Sequence, residues 1–215
     1  MGYTRTMKIR VYIDGQNFMY KAANILVDTG RISTKDELTK IDIRGIVERI
    51  FGDDVEIIYY GAKVKVRKDL GDGIKEKTTR FSDISRRIRN TLNAQSIIFN
   101  EVGKLKVRDS DTCHNCQHQD LRLQEKGVDV GIAVAMVTDA LTRAAMNQVI
   151  VSSDTDLLPA IEVARAAGVS VTYVGFSDKT TKAIVARTDK TEIIRNQEII
   201  DAFDKLNPPK LPIDS

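Results

Sequence analysis

The chain reads as an α/β protein built on a mostly parallel central sheet, and three observations predict it. Short β-branched runs alternate with longer stretches of helical periodicity from residue 8 to residue 206, the order that builds parallel sheets through right-handed crossovers. Glycine or a Gly-Asp cluster closes several of the helical stretches, at Gly30, Gly52 and Gly168. Two strand-like runs end on acids: Lys8–Ile13 stops at Asp14, and Gln148–Ser153 stops at Asp154, with Asp156 two residues further on. Carboxylates there would stand at the carboxyl ends of buried strands, where an open α/β sheet binds its ligands.

Each element follows from its own pattern. Residues 8–13 alternate and are β-branched, so they predict the first strand. Gln16 to Val27 places Phe18, Ala22, Ile25 and Leu26 on one helical face. Asp36 to Lys40 is a polar connection, and Ile43, Ile46, Val47 and Ile50 give a second helix. Val55 to Tyr60 is the second strand. Lys65 to Lys77 carries Gly71-Asp72-Gly73 and reads as a mobile loop. Ser82 to Leu92 is a basic helix, Ser96 to Asn100 the third strand, and Lys104 to Val107 a small excursion that pairs with nearby chain. Val128 to Ala145 is the longest apolar helix. Gln148 to Ser152 and Val169 to Val174 are strands four and five, flanking a helix over 157–167. A short helix over 180–187, a sixth strand at 192–194 and a last helix over 198–206 complete the pattern. Residues 1–206 read as a single domain, and 207–215, with Pro208, Pro209 and Pro212, as an extended tail.

Composition bounds the function. At 215 residues, 42% hydrophobic and 29% charged, the chain is an ordinary globular protein with enough length for a full core. No apolar stretch reaches membrane-span length, and the N-terminal residues lack an apolar signal core, which together predict a cytoplasmic protein. Two cysteines are too few for a disulfide scaffold. The net charge is only +3, but basic residues crowd one segment: Lys63, Lys65, Arg67, Lys68, Arg80, Arg86 and Arg87 are candidate phosphate contacts. A solvated loop and helix face is the plain alternative.

The chemistry concentrates in three acidic motifs. Asp14-Gly15-Gln16-Asn17 follows a strand directly. Gly15 lets the backbone approach a ligand, and Asn17 could orient a phosphate oxygen or a water. Asp14 could equally be a plain helix cap. Ser152-Ser153-Asp154-Thr155-Asp156 offers two carboxylates and two small hydroxyl donors at a strand-to-helix junction, where acids also favour a helix dipole. Asp129 opens the apolar helix after Lys126-Gly127. Acids gathered in one crevice repel one another unless a cation or a shared proton compensates, so the set predicts a divalent-metal site, with phosphodiester hydrolysis as its chemistry. A second candidate is Cys113-His114-Asn115-Cys116-Gln117-His118. Cys113, Cys116 and His118 suit a zinc turn, closed in a homodimer by a second copy, or else form a reduced exposed loop. His114 and His118 are the only histidines, so no histidine-based triad is supported elsewhere.

Taken together, Val11-Tyr12-Ile13-Asp14-Gly15-Gln16-Asn17, Lys126-Gly127-Val128-Asp129-Val130 and Ser152-Ser153-Asp154-Thr155-Asp156-Leu157-Leu158-Pro159 resemble the NYN domain family, a branch of the PIN-like nucleases, across most of residues 8–195. The resemblance implies a Rossmann-like three-layer α/β/α fold and a Mg²⁺- or Mn²⁺-dependent endoribonuclease acting on RNA. It implies Asp14, Asp129, Asp154 and Asp156 as metal ligands, with Asn17 beside them. One departure stands out: such helices often carry an aspartate where this chain has Ala135. That motivates the alternative of a weakened or inactive RNA- or protein-binding module, with Asp139 as a partial substitute ligand one turn on. A phosphomonoesterase is a third reading, disfavoured because the Asp14-Gly15-Gln16 context lacks a second nearby acid.

Overall fold

The first strand, β1 (Ile9–Asp14), is buried along its last four residues. Its alternation decides the architecture. Val11 and Ile13 face one apolar cluster, and Tyr12 faces another, because successive strand residues point to opposite faces. A strand buried on both faces needs helices on both. The first face is covered by α1 (Gly15–Asp28), α2 (Ile43–Phe51), α7 (Asn196–Leu206) and part of α3 (Asp72–Ala94). The second is covered by α4 (Val128–Leu141), α5 (Leu158–Ala166) and the single turn α6 (Lys182–Val185). The result is the expected three-layer α/β/α arrangement. This computed structural model describes residues 8–67, 69, 72–109, 121–178 and 180–208.

The remaining strands are β2 (Val55–Lys63), β3 (Ile98–Asp109), β4 (Leu121–Lys126), β5 (Asn147–Val151), β6 (Ser170–Phe176) and β7 (Lys190–Ile194). They form one seven-stranded sheet in the order β4-β3-β2-β1-β5-β6-β7. All neighbours are parallel except β3 and β4. The chain leaves β1 towards β2 on one side, whereas β5 continues to β6 on the other. The carboxyl ends of β1 and β5 therefore flank the topological switch point, the place where open α/β sheets hold ligands.

Three elements differ from the sequence expectation. The loop expected over 65–77 gives way at Asp72 to α3, which runs 23 residues and absorbs the basic helix expected from Ser82. Its first turns are anchored: Ile74 and Thr78 are buried, Thr78 Oγ1 donates to the Ile74 carbonyl at 2.8 Å, and the Arg67 amide donates to Thr78 Oγ1 at 3.1 Å. Gly71-Asp72-Gly73 resembles a turn locally, but those packing contacts win. Strand β4 was not expected at all, because Leu121-Arg122-Leu123-Gln124-Glu125-Lys126 is mostly polar and reads as strand only once paired. It pairs antiparallel with the half of β3 that was expected as a separate excursion. Finally, α4 stops at Leu141 rather than Ala145, with Arg143 at positive φ just beyond it.

Asn207 is tied back by its side-chain amide to the carbonyls of Lys40 and Phe203. The rest of the expected tail, residues 209–215, lies outside the described residues. So do Lys68 and the whole zinc candidate, with Cys113, Cys116, His114 and His118. Among the described residues no helix is long and apolar enough to cross a membrane.

Candidate metal centre

Asp14 ends β1 and caps α1, as the plain cap reading expects, and it also borders the acidic cavity. Its Oδ1 accepts from the Asn17 amide at 3.0 Å, which satisfies an orphan donor of the helix start. Its Oδ2 accepts from Ser152 Oγ at 2.9 Å, across from the end of β5. The same Ser152 Oγ accepts from the Asp154 amide at 3.1 Å. Asn17 links the two loops again: its Nδ2 donates to Ser153 Oγ at 2.8 Å, and its Oδ1 accepts from the Ser153 amide at 3.3 Å. Two loops from distant sequence are thus laced together directly over the switch point.

A Cβ at Gly15 would lie 2.3 Å from the Tyr59 ring, so the missing side chain makes room for that ring.

Asp154 and Asp156 extend from the next turn. Asp154 Oδ1 accepts from the Asp156 amide at 2.9 Å and caps the 3₁₀ turn Thr155–Leu157. Asp129 arrives from the third direction, in the first turn of α4. Its position depends on β4. The β3–β4 pair projects past the end of β2, and β4 then runs back so that Lys126 pairs with Lys104, itself opposite Lys63 at the end of β2. The chain therefore re-enters at the carboxyl edge of the sheet just before α4 begins. Gly103 allows the close passage: its φ is +70°, and a Cβ there would fall 2.3 Å from the Lys126 carbonyl oxygen.

Asp129, Asp154 and Asp156 each offer a carboxylate oxygen within 4.8 Å of the others. Asp14 borders the same cavity of 390 Å³ but stands outside that three-way cluster, its oxygens engaged by Asn17 and Ser152. Burial raises the Asp14 carboxyl above its usual range, the two hydrogen bonds pull it back, and the charges of Asp154 and Asp129 raise it further. Sequence reasoning missed Glu125, which also lines the cavity. Burial, with the charges of Asp14 and Asp129 adding to it, pushes Glu125 up to about 7. No sequence signal marked it, since β4 itself was not legible.

The donor set decides which ion fits. Three carboxylates, with no thiolate or imidazole among the described ligands, suit a hard, oxygen-seeking divalent cation. Five acids border the one cavity, and a bound cation or a shared proton would relieve their mutual repulsion.

Two other expectations fare differently. Asp139 is no substitute ligand: Tyr12 donates to it at 2.6 Å and Arg10 pairs with it at 2.7 Å, at the far end of α4 from Asp129. Ala135 packs against the second apolar cluster, six residues and about 9 Å along the helix axis from Asp129. It contributes to the core rather than to the acidic cavity.

The basic candidates disperse. Arg67 pairs with Asp69, Arg80 with Asp36, and Arg86 with Asp83. Arg87 borders a separate groove of 690 Å³ shared by acids and bases on α3 and near Asp36. Lys63 and Lys65 are exposed and form no ion pair among the described residues. Lys104 and Lys126, not singled out from sequence, extend Lys63 into a row of three lysines in consecutive register across β2, β3 and β4.

A family model for the NYN domain matches residues 8–195. No curated protein matches the chain significantly. Among solved structures, a protein of unknown function from Vibrio parahaemolyticus shares the fold with a TM-score of 0.52 at 17% identity, over 90% of this chain and 96% of that one. The three acidic motifs and the match over nearly all of the sheet agree: the chain belongs to the NYN domain family, a family of PIN-like nuclease folds.

Proposed function

We propose that this chain is a divalent-cation-dependent ribonuclease that hydrolyses RNA phosphodiester bonds, with Mg²⁺ or Mn²⁺ as its cation. The observation that carries the reading is the convergence of Asp129, Asp154 and Asp156 to within 4.8 Å at the switch point of the sheet. Those three would hold the cation, with Asp14 beside them. A divalent cation held there would supply charge neutralisation at the scissile phosphate and would lower the pKa of a water for attack.

The chain's own groups do the rest. Ser152 holds Asp14 and the Asp154 backbone with a single hydroxyl. Asn17 locks the β1 turn, with Asp14, to the β5 turn, with Asp154 and Asp156. Such outer hydrogen bonds orient ligands and set their affinity. The lysine row at the sheet edge offsets the acidic field that would repel a polyanion and grips flanking phosphates. Adjacent like charges in a sheet are unfavourable unless an anion lies across them. The inactive-module alternative rested on Ala135, and that position is remote from the cavity.

The test is cleavage of an end-labelled single-stranded RNA with Mg²⁺ or Mn²⁺. EDTA abolishes cleavage, and Asp154→Asn or Asp129→Asn lowers it by at least about 100-fold while thermal stability holds or rises. Cleavage that persists in EDTA, or in both variants, refutes the reading.

A further inference from the structure

A second cavity, of 180 Å³, lies beside the acidic one: Gln16 and Glu125 border both. Its character is opposite. The wall on the sheet side is Tyr59, Phe99 and Leu105, and the wall on the α3 side includes Phe81 and Ser85. Tyr59 and Phe99 stack with centroids 5.6 Å apart and planes inclined by 22°, and Arg89 lies over Phe99 at 4.5 Å, so the two rings of the sheet wall support each other. Phe81, on the α3 wall, is 41% exposed.

Size and polarity narrow the occupant. Pockets for whole small-molecule ligands run to roughly 300–1,000 Å³, so this one holds a single planar ring system and not a complete nucleotide. Gln16 offers an amide with both donors and an acceptor, and Ser85 a hydroxyl, at an otherwise apolar site. Phosphate cannot enter such a cavity, but it has a place next door, among the carboxylates and near the lysine row.

We propose that this cavity receives one unpaired nucleobase of a single-stranded RNA, the base adjacent to the phosphate held at the acidic centre. This rests on the ribonuclease reading for the identity of the strand. Phe81 closes over the base, and Gln16 and Ser85 face its polar edge. A paired base is stacked inside its helix and cannot reach such a pocket, so the chain selects single strands.

The experiment measures binding of a fluorescent single-stranded RNA, of the same backbone with abasic sites, and of a matched duplex, all in Ca²⁺. It uses the intact chain, Phe81→Ala and Ser85→Phe, the second of which fills the cavity. Cleavage in Mn²⁺ is followed in parallel, and thermal melting confirms that each variant folds. The proposal expects the intact chain to prefer the base-bearing strand over the abasic strand by about 10-fold or more, the usual worth of a stacked base. It expects Phe81→Ala and Ser85→Phe to erase that preference, and duplex to bind weakly. Equal affinity for abasic and normal strands, full preference in both variants, or no RNA binding at all overturns it. Metal-dependent cleavage indifferent to Phe81 and to base removal sinks the pocket and leaves the nuclease standing. Base-dependent binding without cleavage in any metal sinks the nuclease and leaves the pocket.

Discussion

Glu125 shows how one side chain reports on a whole site. Its carboxyl is moved from an ordinary glutamate value of 4.5 to about 7, first by burial and then by Asp14 and Asp129. Between those two values the folded chain holds a proton that the unfolded chain has released. Folding therefore loses stability as pH rises through that window. In EDTA, the melting temperature of the wild type should fall between pH 5 and pH 8, and Glu125→Gln should fall less. The gap at pH 8 should reach several degrees, since about 1 kcal/mol is worth ~2–4 °C in a chain of this size. Equal melting of the two proteins at pH 8 would show that Glu125 ionises without cost. Asp14, by contrast, was legible from sequence as a cap, because a carboxylate between a strand and a helix can accept from the helix start with one oxygen and leave the other for Ser152.

At the scale of elements, the decisive piece is the β3–β4 extension. It carries Glu125, delivers Asp129 to the carboxyl edge, and aligns Lys63, Lys104 and Lys126. Gly103 is its hinge with the start of α4. Gly103→Ala puts a side chain on a left-handed backbone, which costs about 1–2 kcal/mol, and drives a methyl against the Lys126 carbonyl at 2.3 Å. The variant should melt several degrees lower, and its Mn²⁺ affinity, read by titration calorimetry, should drop because Asp129 shifts. Wild-type metal affinity in a folded Gly103→Ala protein would mean that the extension does not position Asp129. Helix α3 belongs to the same scale. The sequence marked its basic half, but burial of Ile74 and Thr78 extended it by more than two turns.

Across the whole molecule, the two ends of the sheet divide the labour. The carboxyl edge gathers acids that form no ion pair among the described residues. Lower on the sheet, on β1, β2 and α4, charge is neutralised internally: Arg10 bridges Asp139 at 2.7 Å and Glu56 at 2.5 Å, and Tyr12 donates to Asp139. Asp139→Ala leaves Arg10 short of a partner in a largely enclosed place, so it should cost about 2–3 kcal/mol, near the lower end for broken buried pairs. Those side chains keep 22% and 16% exposure, which is why the lower end applies. Metal affinity should be unchanged. A stable Asp139→Ala protein with weakened metal binding would restore Asp139 as a ligand.

The sequence by itself determined the order of the main strands and helices, the strand character of β1 and the three acidic motifs. Each of these depends on local periodicity or on a residue at a strand end, and such patterns survive in one dimension. Only the tertiary structure decided that Asp129, Asp154 and Asp156 meet while Asp139 turns away to Arg10. It alone revealed β4, which lacks an apolar pattern and exists through its ladder with β3, and with it Glu125 and the aromatic cavity beside the acids. The reason is the same in each case: these features depend on contacts between residues far apart in the chain, and pairing partners, not side-chain type, determine which charges end up alone.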